Sequence, residues 1–213
     1  VKGLYAISDQ HLIAADKFAA SIEATLRGGA SVVQYRDKSS DRQRRGQQAQ
    51  TVVALCQKYQ ATSIINDDIE LALAVGADGV HLGLEDGSLQ QARARLGAQA
   101  IIGITCYNDL QRAIQAEQQG ANYVAFGRFF SSSTKPNATP ATLELLQQAR
   151  REISLPICAI GGITLKNAPP LLAAGVDLLA VVNALFAHQE AGKIEQQSRR
   201  FSTLFSARQK NYD

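Results

Sequence analysis

The sequence predicts an α/β fold, a single (β/α)8 barrel over residues 1–213. Three observations point to it. Eight short β-branched and apolar runs alternate with longer stretches of helical periodicity in a chain of 213 residues, near the lower size limit for eight βα units. A glycine-led pseudo-repeat recurs at residues 28–33, 76–80, 120–124 and 175–179, each time a helix-ending glycine that feeds directly into a strand. No linker or shift of composition divides the chain. A doubly wound open sheet is the rival. It would use fewer strands and a glycine-rich turn after the first one, whereas this chain's first run ends Ile7-Ser8-Asp9.

In chain order, strands are expected at 3–8, 31–36, 63–66, 79–83, 101–105, 123–127, 156–161 and 178–182. The segments between them read as helices. In 40–59, for example, Ala49, Val52, Val53, Cys56 and Tyr59 recur at three- and four-residue steps. Helix starts carry capping-box spacing at Ser40 with Gln43, Ser88 with Gln91 and Asn108 with Gln111, and Thr139 before Pro140 reads as an N-cap and first-turn pair.

Composition narrows the function classes. With 46 % hydrophobic and 19 % charged residues the chain is built to fold, and 16 Gly with 5 Pro exclude collagen-like or linker character. A net charge of +3 is low for a nucleic-acid binder and suits small anionic ligands. Cys56, Cys106 and Cys158 are scattered, as are His11, His81 and His188, so neither a disulfide framework nor a zinc site is expected and a cytoplasmic setting fits. No signal peptide is recognised, and the most apolar stretch, 171–186, is broken by Asp177 and Asn183 and is too short to span a bilayer. The absence of Met leads us to expect that an initiator, and with it a few residues, is missing ahead of Val1.

Chemistry in a barrel gathers at the C-terminal ends of its strands, and the polar residues fall there. Strand two is followed by Gln34-Tyr35-Arg36-Asp37-Lys38, strand three by Asn66-Asp67-Asp68 and strand four by Gly83-Leu84-Glu85-Asp86. Strand five ends at Thr105, strand six leads to Ser131, Ser132, Ser133, Thr134 and Lys135, and strand seven to Gly161-Gly162. Cations beside paired carboxylates suit a polyphosphate held through Mg²⁺, with Asp67 and Asp86 as candidate ligands. Arg36 can grip phosphate oxygens with its fork, while Lys38 and Lys135 act as point charges. Bland alternatives stand beside these. Asp67 could cap a helix, Asp86 could close a turn, and Arg36 and Lys38 could be a solvated pair. Gly161-Gly162 is an anion cradle or a tight turn, and Asn183 completes the cradle or caps the next helix. His81 reads as a satisfied core histidine, Cys106 and Cys158 as small buried hydrophobes. Arg42, Arg44 and Arg45, with Arg199, Arg200, Arg208 and Lys210, read as solvated helix faces.

Six motifs in register resemble the thiamine-phosphate synthase family nearly end to end: residues 3–9 (GLYAISD), 34–38 (QYRDK), 65–68 (INDD), 79–83 (GVHLG) with Asp86, 134–135 (TK) and 159–163 (AIGGI). The resemblance implies a transferase of thiamine biosynthesis. It would condense 4-amino-2-methyl-5-hydroxymethylpyrimidine diphosphate with hydroxyethylthiazole phosphate, releasing pyrophosphate, with Mg²⁺ and by a dissociative mechanism. By position it implies that Gln34, Arg36, Lys38, Asn66, Thr105 and Lys135 hold the pyrimidine diphosphate. Of these, Arg36, Lys38 and Lys135 would be catalytic, and Asp67 and Asp86 would bind the metal. Ser132, Ser133, Thr134, Gly161, Gly162, Val182 and Asn183 are the residues expected to hold the thiazole phosphate. The partners expected are phosphorylated small molecules, with no nucleic acid and no membrane; self-association is left open. The chain departs from the family's usual pattern at Thr105-Cys106-Tyr107, at Arg128, at Ser132 and at Asn183. Two alternatives remain: a thiazole tautomerase-type paralogue, which needs a positioned base, and a non-catalytic phosphate-ligand binder.

Overall fold

A computed structural model describes residues 1–83, 86–131 and 140–209, with side chains to residue 206. Eight parallel strands close into a barrel in sequence order: β1 (Gly3–Ile7), β2 (Val32–Tyr35), β3 (Thr62–Asn66), β4 (Gly79–Leu82), β5 (Ile101–Tyr107), β6 (Tyr123–Gly127), β7 (Ile157–Ile160) and β8 (Leu178–Val181). β8 returns to β1 with Tyr5 opposite Ala180. Between them run α1 (Phe18–Arg27), α2 (Arg42–Tyr59), α3 (Ile69–Val75), α4 (Leu89–Leu96), α5 (Leu110–Gln118), α6 (Leu143–Glu152), α7 (Ala168–Ala173), α8 (Asn183–Phe186) and α9 (Ala191–Gln209). Each expected strand is present within two residues of its expected ends.

The period of two along each strand sorts the side chains into two sets. Outward residues such as Leu4, Val33, Ile65, Val80, Ile102, Phe126, Ala159 and Leu179 pack beneath the helices. Inward residues form a second, smaller core of Tyr5, Ile7, Val32, Ile64, Tyr123, Ala125, Cys158, Leu178 and Ala180. The same alternation brings Gln34, Asn66, His81 and Thr105 inward at the upper layer, which is how residues far apart in sequence reach one cavity.

The pseudo-repeat closes the lower end. After its glycine, each of three units places a side-chain oxygen where the preceding strand begins. The N–H of Ser63 donates to Asp78 Oδ2 (2.7 Å), that of Ile102 to Asn122 Oδ1 (2.8 Å) and that of Ile157 to Asp177 Oδ2 (3.0 Å). Each satisfies a strand-entry donor that would otherwise be unpaired in a buried place.

Helix starts partly follow expectation. Ser88 and Gln91 form the full capping box of α4. At α2 the cap is Asp41, accepting from the Arg44 N–H, in place of Ser40; at α5 it is Asp109, accepting from Arg112, in place of Asn108. In both cases a carboxylate one residue later displaces the expected cap and favours the positive helix end. Thr139 lies outside the described residues, and α6 starts at Leu143 under a Thr142 cap, so Pro140 is not its first-turn residue.

Candidate active site

The loop after β2 is organised by its one buried carboxylate. Asp37 Oδ1 accepts from the Ser39 N–H at 2.7 Å, and Oδ2 accepts from Arg44 Nε and Nη2 at 3.2 and 3.0 Å. Burial pushes the Asp37 carboxyl up, but the Ser39 N–H and hydroxyl and the Arg44 guanidinium outweigh it and hold it below the usual range. Arg45, on the next helical position, donates to Asp68 Oδ2 at 2.6 Å. Arg44 and Arg45 are therefore not merely solvated, as their clustering suggested; they tie α2 to the loops after β2 and β3. The loop so fixed presents Arg36 and Lys38. The Arg36 N–H donates to Ser8 Oγ (2.9 Å) and its Nη1 stands 3.5 Å from Asp9 Oδ2.

After β3, three consecutive polar residues divide the work. Asp68, not Asp67, caps α3, its Oδ1 accepting from the Leu71 N–H at 2.9 Å. Asp67 adopts a left-handed backbone with φ 63°, a conformation uncommon outside glycine, so its carboxylate turns away from the helix. That carboxylate accepts from the Lys38 ammonium and, at 2.6 Å, from Asn66 Nδ2. Asp86 closes its own turn by accepting from the Gly83 N–H at 3.0 Å and also faces Asp67. Burial and the adjacent Asp67 carboxylate push the Asp86 carboxyl above the usual range. Among the described residues no group of three or more His, Cys, Asp or Glu gathers that could hold a metal. The donor set nonetheless suits magnesium. Two facing carboxylates, one of them pushed toward protonation by burial and by the other, would gain from a hard dication of the kind that also takes phosphate oxygens and water.

Two adjoining cavities share Asn66. The outer one, about 700 Å³, is lined by Lys38, Arg45, Asp67, Asp86 and Arg95 among others. The inner one, about 420 Å³, descends into the barrel mouth past Arg36, Gln34, His81 and Thr105, and its far wall carries Arg128, Gly161, Gly162, Val182 and Asn183. The expected site residues within the described part therefore converge on one mouth. Ser132, Ser133, Thr134 and Lys135 lie outside the described residues.

The far wall decides two open readings in part. Gly161 and Gly162 have φ 107° and 62°, and a Cβ on either would lie 2.3 Å from Arg128 Cβ or 2.4 Å from the Ser131 carbonyl oxygen. They are thus needed for the turn and for its close approach to residues 128–131, and they also line the cavity. Asn183 is the first residue of α8, whose N-cap is Val182 with no side-chain cap bond, so it does not cap the helix.

His81 is hydrogen-bonded through both ring nitrogens, to Tyr123 Oη at 2.9 Å and Thr105 Oγ1 at 2.8 Å, as a core histidine should be. It nevertheless lines the inner cavity at 9 % exposure. Tyr5 and Tyr123 were missed as site residues. The signal was available: a tyrosine at an inward strand position needs a partner for its hydroxyl. Burial raises both phenols well above their ordinary values, so they stay protonated. Arg112 was also missed. Its Nε donates to the Thr105 carbonyl at 2.6 Å and its Nη2 to that of Gly83 at 3.3 Å, joining the upper ends of β4 and β5. At that point β5 is irregular, and Tyr107, with φ 54°, turns to the cavity wall. Burial pushes the Cys106 thiol up to about 12 and that of Cys158 higher still, which disfavours the thiolate at both.

The closed (β/α)8 barrel gathers cations, amides and facing carboxylates at the C-terminal ends of its strands, the place where barrel enzymes carry their sites. The thiamine monophosphate synthase family model matches residues 4–185, and the chain belongs to that family. Among solved structures it is similar to thiamine phosphate pyrophosphorylase from Pyrococcus furiosus, at 31 % identity and TM-score 0.86, with 96 % of each chain covered. The enzyme of that name from Bacteroides thetaiotaomicron shares 14 % identity at TM-score 0.72, covering 96 % of this chain and 98 % of that one. The (S)-3-O-geranylgeranylglyceryl phosphate synthase of Thermoplasma acidophilum shares 13 % at TM-score 0.66, covering 95 % and 92 %; these two likenesses show the fold alone. Among the described residues no helix is long and apolar enough to cross a membrane.

Proposed function

We propose that this chain is a transferase that joins the aminopyrimidine-methyl diphosphate to hydroxyethylthiazole phosphate, giving thiamine phosphate and pyrophosphate. The observation that carries the reading is the continuous row of Arg36, Lys38, Asn66, Asp67 and Asp86 over the ends of β2, β3 and β4, beside a cavity large enough for two small rings. A diphosphate on that row would leave its ring directed into the inner cavity, where Gln34 and Thr105 wait. The thiazole phosphate would lie along the far wall, against Gly161, Gly162 and the Val182–Asn183 backbone, with Ser132, Ser133 and Thr134 completing it.

In the reaction the bond between the ring-bearing methylene carbon and the diphosphate oxygen breaks, and its electron pair leaves with the diphosphate. The thiazole nitrogen lone pair then forms the new carbon–nitrogen bond, and no proton need be removed. The chain's part is to stabilise charge growing on the leaving group, through Arg36, Lys38 and Lys135. It also holds the two rings together while water is excluded. Magnesium held by Asp67 and Asp86 would supply further neutralisation of the diphosphate.

The test is pyrophosphate release and product mass with both substrates, with Mg²⁺ present or chelated. Equimolar pyrophosphate and thiamine phosphate, abolished by chelation, is the expected result. Isomerisation of a thiazole carboxylate phosphate without metal, and no condensation, would replace this reading with the tautomerase one.

A further inference from the structure

Five side chains from five strands are hydrogen-bonded end to end across the barrel. Gln34 Nε2 meets Tyr5 Oη at 2.7 Å, Tyr5 Oη meets Tyr123 Oη at 2.7 Å, Tyr123 Oη meets His81 Nδ1 at 2.9 Å, and His81 Nε2 meets Thr105 Oγ1 at 2.8 Å. The three central members are buried, and both ends reach the inner cavity. The ring of Tyr123 stacks on that of His81, with centroids 5.5 Å apart, and meets that of Tyr5 edge-on at 5.9 Å. Room for the Tyr123 phenol exists because residue 103 is glycine: a Cβ there would lie 2.0 Å from its Cζ.

With each hydroxyl proton spent on the next link, the protons along this chain fall in one arrangement. An amide nitrogen can only donate, so Tyr5 Oη accepts from Gln34. The single proton of Tyr5 then goes to its other partner, Tyr123. Tyr123, accepting on that side, directs its own proton to His81 Nδ1. With Nδ1 an acceptor the imidazole is neutral, its proton sits on Nε2, and it is donated to Thr105 Oγ1. The hydroxyl proton of Thr105 is left for the cavity at one end, and the Oε1 of Gln34, a pure acceptor, at the other. The chain is polar from end to end, its direction set at Gln34 and carried through the buried Tyr5, Tyr123 and His81 to Thr105.

We propose that this chain reads the hydrogen-bonding edge of the substrate ring, and that His81, held as the Nε2–H tautomer, is its positioning residue. The inference rests on the transferase reading above and names what the site demands of one substrate. The ring that matches carries a donor facing Gln34 and an acceptor facing Thr105. An aminopyrimidine does so with its exocyclic amine and adjacent ring nitrogen. The 4-oxo counterpart presents an acceptor and a donor in the same places, so both contacts oppose. A site that leaves its own polar groups unpaired discriminates strongly against such an analogue.

The test has two arms that fail separately. In the free protein, long-range ¹H–¹⁵N correlation of the histidine rings reports the tautomer, with His81 assigned by its loss in His81→Gln. A single Nε2–H form is expected in the wild type and a mixture in Tyr123→Phe, which removes the link between Tyr5 and the imidazole. An Nδ1–H or doubly protonated ring in the wild type overturns the proposal. In turnover, Tyr123→Phe is expected to raise KM for the aminopyrimidine diphosphate about tenfold, the scale of one lost hydrogen bond, with KM for the thiazole phosphate unchanged. It should also narrow the preference over the 4-oxo analogue by about as much. Equal effects on both substrates, or unchanged selectivity, overturn it. Should Tyr123→Phe fail to fold, Tyr5→Phe cuts the chain one link earlier and is read in the same way. Wild-type protein that forms no thiamine phosphate refutes the transferase reading and leaves the tautomer result standing.

Discussion

Arg44 reaches back seven residues to place two N–H donors, Nε at 3.2 Å and Nη2 at 3.0 Å, on a single oxygen of Asp37. The carboxylate is 1 % exposed and the guanidinium 39 %, so the pair is anchored on its buried member. Removing Arg44 leaves that carboxylate with only Ser39 and a distant tyrosine hydroxyl at 3.4 Å. Arg44→Ala should therefore cost about 1–3 kcal/mol, the scale of an unsatisfied buried group, measured by urea unfolding.

The same pair makes stability fall in acid. The Asp37 carboxyl is held below its ordinary range in the folded chain, so its contribution is complete above the unfolded value of about 3.9 and is lost as pH falls through the lower folded value. Comparing wild type with Asp37→Asn, the difference in unfolding midpoint should be constant from pH 7 to 5 and shrink below pH 4. A constant difference at pH 3 would separate the carboxylate from this role.

Asp67 stands in a left-handed backbone that asparagine tolerates and alanine does not. Asp67→Asn should keep the fold and raise the Mg²⁺ needed for half-maximal turnover at least about tenfold, because a charged ligand is replaced by a neutral one. Asp67→Ala should show the same metal effect and lose a further ~1–2 kcal/mol of stability. Unaltered metal titration in both would remove Asp67 from the metal's ligands.

Lys38 donates to Asp67 while lining the outer cavity. If it stabilises the departing diphosphate, Lys38→Ala should slow turnover by roughly 10- to 150-fold, equivalent to a charged hydrogen bond of about 1.5–3 kcal/mol. KM for the thiazole phosphate should hold. Single-turnover kinetics would show the loss in the chemical step.

On the far wall, Gly162→Ala would force a methyl to within 2.4 Å of the Ser131 carbonyl at φ 62°. It should lower stability by ~1–3 kcal/mol and weaken binding of the thiazole phosphate, read by calorimetry. Loss of stability without loss of binding would make the glycine pair a turn and nothing more.

Much of this was legible in the sequence because barrels repeat one rule. Gln34, Asn66 and Thr105 followed, with the other rim residues, from their place at the strand ends, and period-two alternation is what turns them inward. What was not legible was pairwise. Asp67 and Asp68 are the same residue type side by side, and only the backbone turn at Asp67 tells ligand candidate from helix cap. Ser40 and Asn108 have capping spacing, yet the neighbouring carboxylates of Asp41 and Asp109 take the position. The Arg42–Arg45 cluster looked like an ordinary charged helix face, since nothing in its spacing reveals that Asp37 and Asp68 lie opposite. Tyr5 and Tyr123 are 118 residues apart, and their contact depends on closure of the whole ring of strands.

Gly103 carries that dependence into inheritance. The phenol of residue 123 fills the volume that a side chain at 103 would take. A lineage acquiring even alanine at 103 must surrender the aromatic ring at 123 at once, and with it the orientation of an imidazole on a third strand. Position 103 is thus held at glycine for as long as 123 keeps its ring. The ring at 123 must therefore be lost before a side chain can enter at 103, and the order of the two changes is fixed.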